Sequence, residues 1–217
     1  MQNNFSFIEK LMFLTIFLVV AKSGAQNLKF DHYNDNNGLS HNSVRQIVQD
    51  KKGFLWLGTF SGLNRFDGYE FKPYLSTSAD ENKLANDDIT VLKLDSNSNE
   101  LWIGTRKGLT RLELDTHAFT TFFDNKNAPN SLPDEEIRSI HIDKFKRIWV
   151  GTKSAGLYIF YPKENRFSKV ELEGFEYIKE IFEDKKGNIW VGSYGTASIA
   201  KIELSNSGEI SEISKFT

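Results

Sequence analysis

The chain has 217 residues, 39% of them hydrophobic and 13% aromatic, with 27 basic side chains against 29 acidic ones and no cysteine. The lack of cysteine excludes disulfides, thiol nucleophiles and cysteine-based zinc sites. A near-neutral balance with scattered basic residues carries no nucleic-acid signature.

Residues 1–25 read as a secretory leader. Leu11 to Ala21 is an apolar run broken only by Thr15; Lys10 precedes it, and Ser23-Gly24-Ala25 supplies small residues where a signal peptidase cleaves. The run is shorter than the roughly 20 apolar residues of a membrane-spanning helix, so a cleaved leader is preferred to an anchor. A lipoprotein anchor would need a cysteine. No second hydrophobic segment follows, and the rest reads as a soluble, exported protein of residues 26–217.

That remainder is a repeat. Asp50-Lys-Lys-Gly-Phe-Leu-Trp-Leu-Gly-Thr59 returns as Asp95 to Thr105, Asp143 to Thr152 and Asp184 to Ser193. All four tryptophans, Trp56, Trp102, Trp149 and Trp190, hold the same place in it, 46, 47 and 41 residues apart. A period in the forties with one Trp per copy is the mark of a propeller blade. The expected fold is all-β: a β-propeller of four-stranded antiparallel blades at 39–74, 84–122, 132–170 and 175–217.

Within each repeat the first strand is expected at 44–49, 89–94, 137–142 and 178–183. In the first copy Val44, Gln46 and Val48 alternate with Arg45, Ile47 and Gln49. Asp50, Asp95, Asp143 and Asp184 then end the strand, their short carboxylates suited to accept backbone N–H bonds in a tight turn; a turn role is preferred to a catalytic one. The second strand, 54–59 and its equivalents, is apolar on both faces and so has neighbours above and below its sheet. Its Trp should fill the gap between blades. Gly58, Gly104, Gly151 and Gly192, two residues later on the same face, let the next backbone come close. Third strands are expected at 62–66, 108–112, 156–160 and 198–202, and outer strands at 71–74, 119–122, 167–170 and 210–216. Polar links join the blades at 76–86, 124–134 and 171–176.

The ends of this pattern do not close on each other. Residues 28–34 read as the outer strand of a closing blade whose other strands come later. The expectation is therefore an N-terminal portion of a longer propeller, of about seven blades.

Gly53-Phe-Leu-Trp-Leu-Gly-Thr-Phe-Ser-Gly-Leu-Asn-Arg-Phe-Asp-Gly68, preceded by Gly38-Leu-Ser-His-Asn-Ser-Val44, resembles the two-component regulator propeller repeat. The second copy lacks the hairpin glycine, and the fourth replaces Gly-Thr and Gly-Leu. The resemblance implies the periplasmic sensor of a hybrid two-component histidine kinase of Bacteroidetes. Such receptors carry two propellers and a small β-sandwich, then a membrane helix, kinase and receiver, and often a DNA-binding domain. They sense glycans and switch on polysaccharide-use genes.

Enzyme chemistry finds no foothold in the sequence. His32, His41, His117 and His141 share no ligand spacing. Residues 33–38 and 95–100 resemble calcium loops but lack the leading Asp or the glycine, and their twelfth positions are Val44 and Arg106. No metal or other cofactor is expected. The residues following Gly-Thr or Gly-Ser are Phe60, Arg106, Lys153 and Tyr194, which a propeller gathers on one rim. Two cations and two aromatics there could stack sugar rings and pair with acidic groups. Ordinary polar turn residues are the plainer reading, and the preferred one on sequence alone. Arg45, Thr90, Arg138 and Lys179, on the first strands, are candidates to line the same channel.

The expected function is ligand sensing outside the cytoplasm by the propeller portion of a two-component sensor. Its partners would be an oligosaccharide or other small molecule, the downstream blades and signalling domains of the parent, and a second copy in a full-length homodimer. No nucleic acid is expected for this segment. The alternatives are a secreted propeller lyase or hydrolase, which should show converging His, Tyr and acidic residues in further blades, and a secreted protein-binding scaffold.

Overall fold

Each repeat folds into one antiparallel sheet whose four strands lie side by side in chain order. The computed structural model describes residues 29–77, 82–122, 131–132, 136–195 and 199–216. The leader at 1–25, Leu28, most of the link at 124–134 and Ser198 lie outside the described residues. The chain divides into residues 1–32 and Tyr33–Thr217. The described part of the first, 29–32, has no regular element; the second carries all the sheets.

The first blade holds β1 (Val44–Gln49), β2 (Leu55–Thr59), β3 (Gly62–Phe66) and β4 (Phe71–Tyr74). The second holds β5 (Ile89–Asp95), β6 (Glu100–Thr105), β7 (Gly108–Glu113) and β8 (Ala118–Phe122). The third holds β9 (Ile137–Ile142), β10 (Ile148–Thr152), β11 (Leu157–Tyr161) and β12 (Arg166–Val170). The fourth holds β13 (Ile178–Glu183), β14 (Ile189–Ser193), β15 (Ile199–Leu204) and β16 (Ile210–Phe216). These bounds fall within two residues of the expected ones. Residues 29–34 are the exception: no strand forms there, and all four sheets already have an outer strand of their own.

The simple alternation expected of the first strand is also corrected. Val44 pairs with Thr59 but Gln46 pairs with Gly58, so Arg45 is an extra, unpaired residue: a β-bulge. The same bulge recurs at Thr90, Arg138 and Lys179. It flips the phase of the strand. Val44 now shares a face with Ile47 rather than with Gln46, and Ile89 with Leu92, Ile137 with Ile140, Ile178 with Ile181.

That phase change builds the contacts between blades. Trp56 packs in one buried cluster with Ile89 and Leu92 of the next blade, Trp102 with Ile137 and Ile140, Trp149 with Ile178 and Ile181. Beside each Trp, the Gly two residues on receives the first isoleucine of the neighbour. A Cβ on Gly58 would stand 2.7 Å from Ile89 Cγ2, one on Gly104 2.8 Å from Ile137 Cγ2 and one on Gly151 2.5 Å from Ile178 Cγ2. Only a residue without a side chain permits that approach. Polar groups tie the same seam. Arg45 Nη1 donates to Ile89 O, Thr90 Oγ1 donates to Ile137 O, and Leu92 N donates to Gln46 Oε1. The links add apolar plugs that composition hides: Leu39, Leu84 and Leu132, each five residues before a first strand, are all buried.

Each Trp is also anchored from below. Asp50 Oδ1 accepts from the backbone N–H of Lys52 and Phe54, closing the turn, while Oδ2 accepts from Trp56 Nε1 at 2.8 Å. Asp143 and Asp184 do the same for Trp149 and Trp190 at 2.8 and 2.9 Å. The second blade departs. Its hairpin has one residue more between Asp95 and Trp102, and Asp95 accepts from the Asn97 N–H and from Ser98 within the turn rather than from the indole. The buried Trp102 indole N–H finds no acceptor among the described residues.

Candidate functional site

The loops entering the first strands and the turns between second and third strands lie at one end of the sheets, because Val44, Ile89, Ile137 and Ile178 pair with Thr59, Thr105, Thr152 and Ser193. Three residues of each blade meet there: the one before the first strand, the bulge residue, and the one after Gly-Thr or Gly-Ser. Backbone bonds fix the set. Arg106 N donates to Asp88 O, Lys153 N to Glu136 O and Tyr194 N to Tyr177 O, at 2.9–3.1 Å. The Thr hydroxyls close the turns from inside: Thr59, Thr105 and Thr152 donate to the carbonyls of Gly62, Gly108 and Gly156, each at 2.9 Å.

Two groups result. In the first, Asp88 carries two cations, Arg45 Nη1 at 2.9 Å and Arg106 Nε at 2.6 Å. The Arg45 guanidinium lies 3.8 Å over the Phe60 ring, and His41 meets that ring edge-on at 5.7 Å. In the second, Glu136 is 8% exposed and holds Arg138 Nη2 at 2.8 Å and Lys153 Nζ at 3.2 Å. Arg138 lies 5.3 Å from the Tyr177 ring centre, and Tyr177 packs against Tyr194 at 5.7 Å. Phe60 and Tyr194 remain exposed, Tyr194 at 72%, and Lys179 points to solvent in the fourth blade.

The structure thus gathers Phe60, Arg45 and Arg106 in one group, and Arg138, Lys153 and Tyr194 in the other. Four of the five cations expected to meet a ligand, Arg45, Arg106, Arg138 and Lys153, are already paired with carboxylates of the protein. The residues missed from the sequence are Asp88, Glu136 and Tyr177. The signal for them was positional, since each immediately precedes the first isoleucine of its repeat. The pairs made by the half-exposed Arg106 and Lys153 contribute little stability. Their effect is to fix guanidinium and ammonium groups that keep spare N–H donors. An array of fixed donors between exposed rings can hold hydroxyl and ether oxygens while a ring stacks on a sugar face.

Titrating groups with displaced pKa lie elsewhere. Burial holds His141 below its ordinary value against the opposing pull of Glu183, whose Oε2 lies 3.2 Å from Nε2 across the seam between the third and fourth blades. The Trp190 indole and the Asn188 N–H hold Asp184 far below the ordinary carboxylate range. Burial and the Arg65 charge lower His117, which lies 3.4 Å from Arg65. A hollow of about 1030 Å³ lies at the opposite end of the sheets, walled by hairpin residues including Glu100, Phe145, Arg147, Tyr161 and Arg166. Among the described residues, no three His, Asp or Glu side chains are grouped to hold a metal.

Comparison with known proteins agrees with this construction. The two component regulator propeller family matches at residues 38–61, 131–154 and 174–195, each match running from a link through a Trp-bearing strand. A histidine kinase, P4, of Formosa agariphila is 41% identical over 70 residues, which are 32% of this chain and 5% of that protein. Among solved structures, the extracellular domain described as that of hybrid two component system BT3049 from B. thetaiotaomicron superposes with a TM-score of 0.62 at 22% identity. That match covers 83% of this chain and 31% of that one. Virginiamycin B lyase of Staphylococcus aureus superposes at 0.60 with 15% identity, over 80% of this chain and 55% of the lyase. At such identities the two structures speak for the fold alone. The chain spans a small part of the kinase and about a third of the extracellular domain. The repeats and the sheets they form agree: three of the four repeats match the two-component regulator propeller family, and the chain is an all-β protein whose sheets are propeller blades.

Proposed function

We propose that this chain is the ligand-sensing part of a two-component sensor, exported by the leader at 1–25 to the periplasm, and that its ligand is a glycan or a glycan breakdown product. The observation that carries the reading is the rim itself: fixed cations of the middle blades lie between exposed aromatics of the first and fourth. The family supports the sensor role, and the extracellular origin of its structural relative supports the location. Kinase and output domains belong to the longer parent in this reading, and the segment binds rather than catalyses; nucleic acid is not its partner.

A sensor must also transmit. A ligand moves an equilibrium only by binding one state better than another. Here the donors that would meet the ligand also tie neighbouring blades, since Arg45 bonds both Asp88 and Ile89 O. Drawing Arg45 toward a ligand changes the seam between the first two blades.

Titration calorimetry of the chain against a panel of oligosaccharides tests the reading. Tyr194→Ala and the double change Arg106→Ala with Lys153→Ala should each weaken the best ligand at least about tenfold, with an unchanged melting temperature. Binding unaffected by both, or turnover of the bound sugar, would refute it.

A further inference from the structure

Arg65 and Arg111 hold the same place in their blades, each paired across the sheet with the blade's Trp. In the second blade Arg111 is held by acids: Nη1 lies 3.5 Å from Glu100 and Nη2 3.5 Å from Glu113. In the fourth, Lys201 pairs with Trp190 and holds Glu203. The first blade offers neither acid. Phe54 stands where the second blade has Glu100, and its ring centre lies 4.6 Å from the Arg65 guanidinium. Asp67, in the place of Glu113, turns Oδ1 to the Tyr69 and Glu70 N–H groups of its own hairpin. Among the described residues Arg65 thus joins no ion pair, and the Tyr74 hydroxyl is buried without a partner. Across the seam, His117 brings Nε2 to 3.4 Å from Arg65 Nη1, and its ring runs parallel to Tyr74 with centroids 6.5 Å apart. Asn82 fixes the His117 hairpin, donating to His117 O and accepting from Phe119 N. Lys72, paired with Arg65, places Nζ 5.5 Å from the Tyr74 ring centre. Asp115, in the His117 hairpin, is held by Lys52 at 2.9 Å. A hollow of about 510 Å³ opens between the outer strands, walled by Tyr74, Thr77, Asn82, Lys83, His117 and Phe119.

We propose that this cationic corner of the first seam binds an oxyanion: a sulfate or phosphate, or the carboxylate of an acidic sugar. Arg65, His117 and Lys72 supply the donors, and the unpartnered Tyr74 hydroxyl, within the field of Arg65, is a fourth. Bonds from charged donors to an oxyanion are the strong ones. The anion takes the part that Glu100 and Glu113 play beside Arg111 in the second blade. The site is separate from the rim. β3 leaves the rim at Gly62, paired with Thr59, and Arg65 lies near its other end, where Phe66 pairs with Phe71. Its two walls are adjacent blades, so occupancy ties the first blade to the second. Charge also couples the site to pH. Burial and the charges of Arg65, Lys72 and Lys52 lower His117, and Asp115 pulls the other way. An anion adds to the pull of Asp115, so the anion and the His117 proton favour each other, and binding strengthens as pH falls through the His117 titration.

NMR of the His117 imidazole in the purified chain tests this, with His117→Gln assigning the signal. Sulfate, phosphate and glucuronate are each added against sodium chloride of equal ionic strength. The midpoint of the His117 titration should move upward and saturate with at least one of the three oxyanions, and not with chloride. Saturation by sulfate or phosphate alone identifies a free inorganic ion, and saturation by glucuronate an acidic sugar; either supports the site. Arg65→Met keeps an aliphatic stem beside Phe54 and should weaken the anion at least about tenfold. Phe54→Glu places the acid of the second blade beside Arg65, so the midpoint should rise with no anion added and the saturable response should vanish. No response of the wild type beyond chloride, or a response that both variants leave intact, overturns the proposal.

Discussion

Trp149 and Trp190 occupy one position of one repeat, hold the same aspartate bond and differ in surroundings. Trp149 is fully buried between the third and fourth blades; Trp190 stacks on Phe216 of its own sheet at 5.8 Å and is left half open. Gly151 is pressed by Ile178, whereas Gly192 faces space. The local unit therefore builds a blade by itself, through the aspartate turn and the ladder. The burial that stabilises it comes from the next blade. This is the nearest-neighbour arrangement of repeat proteins, in which each unit adds an intrinsic and an interface contribution.

The contrast can be broken most sharply at the tryptophans. Trp149→Ala should cost about 3–5 kcal/mol, as for a large core aromatic. Trp190→Ala should cost about 1–2 kcal/mol in dilute solution, since less area leaves the core. Urea unfolding of the two variants checks this; equal losses would mean that the fourth blade is stabilised within its own sheet.

A smaller effect separates the second blade from the third. Trp149→Phe removes a buried bond to Asp143, whose side chain is fully buried. Trp102→Phe removes an indole N–H that has no acceptor. The first should therefore cost about 1–3 kcal/mol more than the second, the penalty of leaving a buried polar group short of a partner. Paired denaturation curves read the difference directly.

The smallest effect concerns acid. His141 has a lowered pKa in the fold, so the unfolded chain binds its proton more readily; stability is complete above the ordinary value of 6.5 and declines as pH falls below it. Asp184 is lowered too, so its contribution is complete above its ordinary value of 3.8 and is lost as pH falls further. Melting temperatures between pH 8 and 3 should thus fall in two stages. His141→Gln should flatten the upper stage and Asp184→Asn the lower one.

Much of this was legible in the residues. Four Trp-x-Gly copies announce the four blades among the described residues, and the strand edges at Val44, Ile137, Ile178 and Ile210 coincide with those read from the pattern. The bulge was not recognised, because Val44, Gln46 and Val48 mimic a clean alternation. The overlooked clue was the spacing of three between Ile89 and Leu92, Ile137 and Ile140, Ile178 and Ile181, which a regular strand would put on opposite faces. The rim was half legible. Its cations were found from their place after Gly-Thr, but the carboxylates that hold them, Asp88 and Glu136, lie some 17 residues earlier and meet them only through the fold. Residues 29–34 pair with no strand here, as expected for an outer strand whose blade has its other strands later in a longer chain.

The recurrent bulge has a consequence for how such a protein can diversify. Because Arg45, Thr90, Arg138 and Lys179 stand outside the pairing of their strands, exchanging them leaves the ladder of each sheet unchanged and reaches the seams only through the bonds of Arg45 to Ile89 O and Thr90 to Ile137 O. On the proposed reading of the rim, selection can thus change what it recognises while leaving the strand pairing intact.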